Sequence, residues 1–390
     1  MIELVTKQNP WWEKENWPEE DHHIQKYNQM KYRWVPSWIE DISLSPFSLN
    51  FILGCRQIGK TTGIKLLIND LLKKAADRSI LYLNCDLIAD SANLKKVLEN
   101  YLTLRQKEKI KTSYVFLDEV SSVEGWWKTV KGFMDLGLFN NDVITVLGSL
   151  SIRLKKEAEL FPGRRGKGKN INVYPLAFGE FLKIHNLGRY SPEINQIFEK
   201  YKKTGGFPLS INEDSRAEEY FIASFESDIA KLGKSVKMAK EIITSIMRKV
   251  PSAMSFHAIA SDIGLSHKTV QDYLELFENM FLLKQVYFHD GVKINFRKEK
   301  KIVFLDPFIA KSFANWGMED FLESALYEWI VQSELIRRYG EVYYYKNNYE
   351  IDCFFKNLKI EVKAGKPHRT YPKGVTVLGK EEIPGFLLEK

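Results

Sequence analysis

The chain has 390 residues, of which 44% are hydrophobic and 27% are charged, a composition typical of a soluble globular protein with two or three domains. The formal net charge of +7 is a mild basic excess, which permits nucleic-acid binding without requiring it. No apolar run reaches the roughly 18 residues that a membrane-spanning helix needs, so the sequence predicts no membrane segment.

The cysteines and the amino-terminal segment favour a cytoplasmic location. Cys55, Cys85 and Cys353 are widely spaced and form neither a disulfide framework nor a metal-binding pattern, which is typical of a reducing environment. The segment at 1–23 carries acidic residues and lacks the apolar stretch of a secretory signal. We therefore expect a cytoplasmic protein.

An arm over residues 1–45 is rich in tryptophan. Its tryptophans are Trp11, Trp12, Trp17, Trp34 and Trp38. Packing of these rings onto the body of the protein is the favoured interpretation. Capping of a nucleotide and exposure at a partner interface are the alternatives.

The first motif with recognisable chemistry is GCRQIGKTT. It matches G-x-x-x-x-G-K-[ST], follows an apolar run at 47–53 and precedes apolar residues at helical spacing. In such a strand–loop–helix the backbone N–H groups wrap the phosphates of a nucleotide. Lys60 would reach the β- and γ-phosphates, and the Thr61 hydroxyl would bind Mg²⁺. The predicted ATP-binding residues are Gly54, Cys55, Arg56, Gln57, Ile58, Gly59, Lys60, Thr61 and Thr62.

Two adjacent carboxylates follow a predicted buried strand at 114–117. Ligands bind outside the carboxyl ends of parallel strands, so both acids should face the phosphates. Asp118 is the predicted Mg²⁺ partner, directly or through water. Glu119 is the predicted general base, which polarises the attacking water.

Three further residues are candidates for contact with the γ-phosphate. Ser149 is one of the small polar residues that follow the predicted core strand of the run at 142–151, and it is either a sensor of the γ-phosphate or attacking water, or part of a turn. Arg164 and Arg165 lie in a basic stretch at 152–170. Each is either an arginine finger or γ-phosphate reader, within one chain or across the subunit boundary of a homo-oligomer, or a surface residue.

These motifs and their order resemble the archaeal and bacterial AAA-type ATPases of the STAND-related group. The segments NPWW, GCRQIGKTT, FLDEV, FPGRR, VYPLAFGEFL and GGFP carry the resemblance, which covers nearly the whole chain. It implies an α/β fold with a P-loop parallel-sheet ATPase core over residues 46–177 and a helical lid over 178–245. It also implies hydrolysis of ATP to ADP with Mg²⁺.

The segment that follows predicts a winged helix-turn-helix over residues 246–300. A short helix ends at Gly264, Ser266 caps a second helix, and the run at 282–296 supplies two strands for a wing. A second basic cluster lies at 293–301. Contact with DNA and packing between domains are equally open. The residues that would face a DNA groove are His267, Lys268 and Gln271.

The last segment contains the pattern D-x8-E-x-K, formed by Asp352, Glu361 and Lys363 on two predicted strands of a hairpin. Alternation places all three on one face of the hairpin. Two carboxylates can hold Mg²⁺ while a lysine activates water for phosphodiester attack, and Glu323 on the preceding predicted helix is a further candidate ligand. The arrangement resembles the PD-(D/E)XK nuclease fold. It implies a small α/β restriction-endonuclease-like domain over residues 301–390.

Two functions remain open at this level. The first is an ATP-regulated DNA-processing enzyme, in which ATP hydrolysis positions a Mg²⁺-dependent nuclease on DNA. The second is a regulatory NTPase switch whose carboxyl-terminal domain is catalytically inactive and serves protein contacts. Both predict ATP binding, and only the first predicts metal-dependent DNA cleavage. A small-molecule kinase is disfavoured, since Glu119 beside Asp118 suits the activation of water.

Overall fold

The computed structural model describes residues 2–148, 151–365 and 370–389. Ser149 therefore lies outside the described residues. The chain divides into two compact units, Met1–Val173 and Tyr174–Lys390. The finer division into an arm, core, lid, helix-turn-helix and carboxyl-terminal domain stays a prediction. Within the described residues, no helix has both the length and the apolar composition needed to cross a bilayer.

The first unit is built on a parallel five-stranded sheet. Its strands run β2–β3–β4–β1–β5, and every neighbouring pair is parallel. The first four strands in chain order are almost entirely buried and mostly apolar, as expected for a parallel sheet that is covered on both faces, whereas the edge strand formed by Asn170–Val173 alternates exposed and buried residues. The predicted parallel-sheet core is thus confirmed. The strands are β1 (Ser48–Gly54), β2 (Ile80–Asn84), β3 (Tyr114–Asp118), β4 (Val143–Leu147) and β5 (Asn170–Val173).

Helices connect the strands of the first unit. Two of them begin at side-chain caps: Asp21 accepts the N–H groups of His23 and Ile24, and Asp90 accepts that of Asn93. The helices are α1 (Ile2–Gln8), α2 (His22–Gln29), α3 (Lys60–Leu71), α4 (Ser91–Lys107), α5 (Trp126–Asp135) and α6 (Ser151–Ala158). Short 3-10 turns lie at Pro10–Trp12, Trp17–Glu19, Ser37–Asp41, Asp77–Ser79, Cys85–Leu87 and Val120–Ser122.

The amino-terminal arm packs against β2, the edge strand of the sheet. The Asn9 amide donates to the Tyr82 carbonyl at 2.8 Å and accepts the Tyr82 N–H at 2.6 Å, so it pairs with the strand as a neighbouring strand would. The Trp12 indole donates to the Ile80 carbonyl at 2.9 Å. Trp11 and Trp17 are buried. The preferred interpretation of these two rings, packing onto the body, is confirmed.

The second unit begins with helices. The residues of the predicted lid fold as α7 to α10 and part of α11. The helices are α7 (Phe178–Ile184), α8 (Ile194–Thr204), α9 (Pro208–Ile211), α10 (Ala217–Lys231), α11 (Val236–Lys249), α12 (Phe256–Ile263), α13 (His267–Asn279), α14 (Pro307–Gly317), α15 (Glu323–Tyr339) and α16 (Ile383–Leu387). Gly264, in the left-handed region, ends α12, and the Ser266 side chain caps α13, as predicted.

Two sheets complete this unit: a six-stranded sheet in the order β13–β12–β11–β10–β7–β8, and a two-stranded sheet of β6 and β9. The strands are β6 (Leu283–Val286), β7 (Phe288–His289), β8 (Ile294–Asn295), β9 (Lys301–Phe304), β10 (Tyr343–Lys346), β11 (Glu350–Phe355), β12 (Leu358–Lys363) and β13 (Thr376–Gly379).

The pairing of the predicted wing strands is different from the expectation. The run at 282–296 forms β6, β7 and β8, yet β6 pairs with β9, while β7 pairs with β8 and, in parallel, with β10. A tight turn between Asp290 and Lys293 explains this, because it folds β7 and β8 into a hairpin of their own. β6 is then left to pair with the strand that follows the hairpin.

The segment GGFP is a carboxylate-binding turn. Gly205 has φ 60° and ψ −159°, a conformation open essentially to glycine alone. The Asp306 carboxylate accepts the N–H of Gly206 at 2.9 Å and that of Phe308 at 2.8 Å. The turn therefore joins the end of α8 to the start of α14.

Candidate functional site

The phosphate loop lies between the end of β1 and the start of α3, as predicted. Gly59 has φ 88° at the position before the helix, which is strained for any residue with a side chain. The Lys60 ammonium donates to the carbonyls of Gly54 at 2.8 Å and Cys55 at 2.7 Å. The lysine is thereby held at the centre of the loop.

Lys60 is buried, and its charge is balanced by nearby groups. Burial lowers the pKa of Lys60, and the negative charges of Glu119 and Asp118 are among the groups that oppose this shift. The two carboxylates therefore act on the lysine across the space that leads from the loop to the end of β3. The sequence predicts that all three residues face the phosphates of the nucleotide.

Asp118 connects the loop with two strands. Its Oδ2 atom accepts the Thr61 hydroxyl at 2.7 Å and the Tyr82 hydroxyl at 2.8 Å, and its Oδ1 accepts the N–H of Glu119 at 2.9 Å. Asp118 is 2% exposed. Burial raises the pKa of Asp118, and the hydrogen bonds from Thr61 and Tyr82 act in the opposite direction.

The oxygen atoms of Thr61 and Asp118 fit a magnesium ion. Mg²⁺ prefers carboxylate, hydroxyl and phosphate oxygens, and both side chains are already in contact. A nucleotide held in the loop would bring phosphate oxygens to the same place. The donor set therefore agrees with the predicted pair of protein ligands.

Glu119 follows β3 directly and lies in the left-handed region, with φ 48°. Its side chain is half-buried and its charge acts on Lys60. A non-glycine residue in this region is uncommon and is held there by its surroundings. The conformation turns the chain at the carboxyl end of the strand, where the predicted general base belongs.

The two arginines lie away from the phosphate loop of their own chain. The Arg164 guanidinium pairs with Asp135, and that of Arg165 donates to Asn170 at 2.7 Å. The Arg165 carbonyl accepts the N–H of Leu49, at the start of β1, roughly 16 Å from the strand's other end at about 3.3 Å per residue. A role within one chain would require the Arg165 guanidinium to leave Asn170 and the Phe51 ring, which lies 5.1 Å from it, and that role stays a prediction. A role across a subunit boundary stays a prediction.

A buried lysine lies among the acids of the carboxyl-terminal domain. The Lys301 ammonium is 2.7 Å from both Glu328 Oε1 and Asp352 Oδ1, and 2.9 Å from Glu350 Oε1. Burial acts to lower the pKa of Lys301, but these carboxylates outweigh it and hold the pKa well above its usual range. The three carboxylates therefore favour the charged form of the lysine at this position.

The predicted metal ligands do not assemble as a metal site. Asp352 and Glu361 are both buried on neighbouring strands, as predicted, but the two oxygens of Asp352 accept Lys301 and the Val362 N–H. Glu361 Oε1 is 2.5 Å from Lys363 and accepts the Tyr371 hydroxyl at 2.9 Å. Among the described residues, no group of three His, Cys, Asp or Glu side chains is arranged to hold a metal.

Glu323, the further candidate metal ligand, pairs with a lysine outside the group around Lys301, and its role as a ligand stays a prediction. It is the first residue of α15 and pairs with Lys202 at 2.7 Å. Glu328, five residues later, is the acid of this helix that reaches Lys301. Five residues correspond to about 500° of rotation, so the two side chains leave the helix in different directions.

The predicted groove-facing residues lie on α13 and are partly engaged by acids of the same helix. Lys268 pairs with Asp272 at 2.9 Å, and the Gln271 amide donates to Glu275 at 2.8 Å. His267 is exposed at the first turn. The helix therefore offers DNA little unpaired positive charge.

Sequence reasoning missed Tyr82, Lys301 and Glu328. Tyr82 lies within an apolar strand whose pattern predicts only a core residue. The contact of its hydroxyl with Asp118 depends on the pairing of β2 with β3, which the sequence does not indicate. Lys301 belongs to the basic cluster at 293–301, and charge runs of this kind favour a solvated surface. The signal that could have indicated its burial is its position as the first residue of an apolar strand.

Comparison with known families and proteins identifies part of the chain. Residues 47–182 match the family described as AAA domain, and residues 195–320 match a domain of unknown function, DUF8612. An uncharacterised protein of Haemophilus influenzae is 28% identical over 261 residues, which cover 62% of this chain and 63% of that protein, less than two thirds of its length. An uncharacterised protein of Methanocaldococcus jannaschii is 26% identical over 338 residues, covering 80% and 73% respectively.

Among solved structures, two examples have partial similarity to this chain. Cdc6p from Pyrobaculum aerophilum has a TM-score of 0.30 and 14% identity, covering 69% of this chain and 87% of that one. RuvB from Thermotoga maritima has a TM-score of 0.33 and 11% identity, covering 65% and 84%. The family match at 47–182 and the phosphate-loop geometry together define an AAA-type P-loop ATPase domain in this chain.

Proposed function

We propose that the chain is a regulatory switch that binds and hydrolyses ATP in its AAA domain. The observation that carries the proposal is the 2.7 Å hydrogen bond between Thr61 and Asp118, beside the buried Lys60. It brings the hydroxyl of the phosphate loop to the acid at the end of β3. This is the pair of oxygen ligands that a Mg²⁺–nucleotide requires.

Each residue of this site has a definite task. The N–H groups of the loop at 54–62 and the Lys60 ammonium bind the phosphates, and Thr61 and Asp118 would hold Mg²⁺. When bound, Mg²⁺ neutralises charge on the β- and γ-phosphate oxygens. Glu119 orients a water molecule and accepts its proton as it attacks the γ-phosphate.

Two substitutions test this assignment. Lys60→Ala should abolish ATP binding, because the phosphates lose their only buried cation within the loop. Glu119→Gln should bind ATP normally and hydrolyse it about 100-fold more slowly or worse, because the amide cannot accept the proton. Binding is measured with a fluorescent ATP analogue and hydrolysis by phosphate release.

Glu124→Gln is the matched control, since Glu124 is exposed just beyond Glu119 and should change neither quantity. Hydrolysis by Glu119→Gln at the wild-type rate would contradict the proposed role of Glu119. Undisturbed ATP binding by Lys60→Ala would contradict the site as a whole.

We propose further that the carboxyl-terminal domain is an inactive relative of a nuclease and serves as a structural or contact module. The support is Lys301, whose ammonium takes the place among Glu328, Glu350 and Asp352 that a divalent cation would need. A metal would have to displace a buried ammonium that makes three ion pairs. The arrangement therefore favours a regulatory switch with an inactive carboxyl-terminal domain over an ATP-regulated nuclease.

A cleavage assay separates these alternatives. Wild-type protein with Mg²⁺ or Mn²⁺ is incubated with linear, branched and single-stranded DNA, with and without ATP, beside the Lys363→Ala and Lys60→Ala variants. We expect no cleavage by any of them. Cleavage by the wild type that Lys363→Ala abolishes would restore the nuclease hypothesis.

DNA remains a proposed partner, and the hairpin of β7 and β8 is the surface that supports it. Val292 and Phe296 are 90% and 63% exposed, and Lys293, Arg297 and Lys298 are exposed beside them. Cations next to exposed aromatic and aliphatic side chains suit a nucleic-acid backbone and its bases. The hairpin is thus a better candidate than α13.

Salt-dependent binding tests this surface. Replacement of Lys293, Arg297 and Lys298 by glutamine should weaken DNA binding and reduce the slope of log K against log salt by up to about three. Lys268→Gln is the control on α13 and should change little. Equal losses of DNA binding in the two variants would contradict the hairpin as the preferred contact and would favour the helix.

A further inference from the structure

The side chain of Tyr82 reaches from the edge of the sheet to the proposed magnesium ligand. Tyr82 is 4% exposed and lies in β2, next to β3 in the sheet. Its hydroxyl donates to Asp118 Oδ2 at 2.8 Å, the same oxygen atom that accepts the Thr61 hydroxyl. A carboxylate oxygen with two fixed donors has a defined orientation.

A lysine packs against the aromatic ring of Tyr82. The Lys65 ammonium lies 3.9 Å from the centroid of the Tyr82 ring and 5.1 Å from that of Trp11. It also pairs with Asp21 at 3.2 Å, and the side chains of both partners are almost fully buried. A desolvated cation over an aromatic face is attracted to it by up to about 2 kcal/mol. Lys65 thus holds the phenol ring in place.

The backbone of Tyr82 is held by the arm as well. The Asn9 amide exchanges two hydrogen bonds with the N–H and carbonyl of Tyr82, and Asn9 is 0% exposed. The arm therefore fixes the backbone of Tyr82 directly, through Asn9. It acts on the ring indirectly, because Asp21 of the arm pairs with Lys65 of α3, which lies over the ring. The hydroxyl, the third point of attachment, is the one that meets Asp118.

We propose that Tyr82 is a positioning residue for Asp118, and that the amino-terminal arm sets the magnesium requirement of the nucleotide site through it. The inference rests on the proposed function, because it assumes that Asp118 helps to bind Mg²⁺. Without the hydroxyl, Thr61 is the one side-chain donor left to the carboxylate among the residues that the structure describes, and the carboxylate gains freedom of rotation. Ordering it again when Mg²⁺ binds then weakens the affinity for the ion.

The first test uses Tyr82→Phe, which removes only the hydroxyl. Binding of a fluorescent ATP analogue is measured over a range of Mg²⁺ concentrations, and in EDTA without the metal. We expect the half-maximal Mg²⁺ concentration to rise about tenfold, as the loss of one hydrogen bond to a charged group predicts. Metal-free nucleotide binding should stay within about twofold of the wild type, because the loop itself is unchanged.

Tyr101→Phe is the matched control, because Tyr101 is a buried tyrosine of the same unit whose hydroxyl donates to the Arg78 carbonyl at 3.1 Å. It should leave the Mg²⁺ requirement unchanged. An unchanged Mg²⁺ requirement in Tyr82→Phe would overturn the proposal. Failure of the wild type itself to bind nucleotide with Mg²⁺ would instead overturn the proposed function, and the inference with it.

The second test concerns the arm. Asn9→Ala should raise the Mg²⁺ requirement in the same direction, and the double variant with Tyr82→Phe should need no more Mg²⁺ than Tyr82→Phe alone, because both act through the hydroxyl. Asn93→Ala, at an exposed amide near the start of α4, is the control. Additive effects of Asn9→Ala and Tyr82→Phe would overturn the part played by the arm.

Discussion

At the scale of single residues, two of the buried lysines outside the phosphate loop, Lys65 and Lys301, define much of the electrostatics around them. Lys65 has Asp21 and aromatic rings around it, whereas Lys301 has three carboxylates within 2.9 Å. A buried carboxylate without a counter-charge is costly. Lys301 therefore stabilises its surroundings by balancing the charge of Glu328 and Asp352, the two buried acids of the three.

Lys301→Met should destabilise the protein by about 3 kcal/mol at neutral pH, since removal of one partner from a buried ion cluster leaves uncompensated charge. Denaturant unfolding measures this. Lys346→Met is the control, because its pair with Glu350 is exposed and worth less than about 1 kcal/mol. Equal stability of Lys301→Met and the wild type would show that the acids are protonated and need no cation.

Asp306 should make stability depend on pH. Burial raises its pKa to about 7, whereas the unfolded value is near 3.8. Between these values the folded state binds the proton and the unfolded state does not, so the free energy of unfolding falls as pH rises from 4 to 7.

The Asp306→Asn variant lacks this titration. Its free energy of unfolding should decline less steeply over the same range, by at most about 1.4 kcal/mol per pH unit. Denaturant titrations at several pH values measure the two slopes. Parallel curves for the two proteins would rule out the shift. The variant is compared by slope, because the amide also alters the hydrogen bonds at Gly206.

At the scale of elements, the connection between α8 and α14 is fixed by one glycine. A Cβ atom on Gly205 would lie 2.0 Å from Asp306 Oδ1, and the backbone conformation there excludes other residues. Gly205→Ala should therefore cost more than about 3 kcal/mol or prevent folding. Thermal unfolding measures the loss.

Gly188→Ala provides the comparison, because a Cβ atom there meets nothing within 4 Å. It should change stability by less than about 1 kcal/mol. A mild effect of Gly205→Ala would mean that the turn can rearrange. Asp306 would then not depend on it.

At the scale of the whole molecule, contiguous motifs were the predictable part. The phosphate loop, the acids after β3 and the hairpin with Asp352 and Glu361 were found, because their residues are close in sequence and their spacing follows strand and helix geometry. Contacts such as that between Asn9 and Tyr82 join residues 73 positions apart and leave no local pattern. The same reason hid Lys301 among distant acids.

The hairpin of β7 and β8 shows the same limit for strand partners. The sequence predicts two strands over 282–296 where the structure has three, and β7 joins a sheet whose members beyond the hairpin begin more than fifty residues later, at Tyr343. Pairing between distant strands depends on which edges are free after the rest of the chain has folded. Local alternation does not contain that information.

The contact of the arm with β2 has a consequence for solubility. Asn9, Trp12 and Gln8 occupy the outward backbone groups of Tyr82, Ile80 and Asn84, so the apolar edge of the sheet offers no template to another chain. Removal of residues 2–12 would expose that template. Such a protein should self-associate by edge-to-edge strand addition, visible as concentration-dependent light scattering, whereas the intact chain should remain dispersed. Besides making contacts near the nucleotide site, the arm is therefore expected to prevent edge-to-edge aggregation at β2.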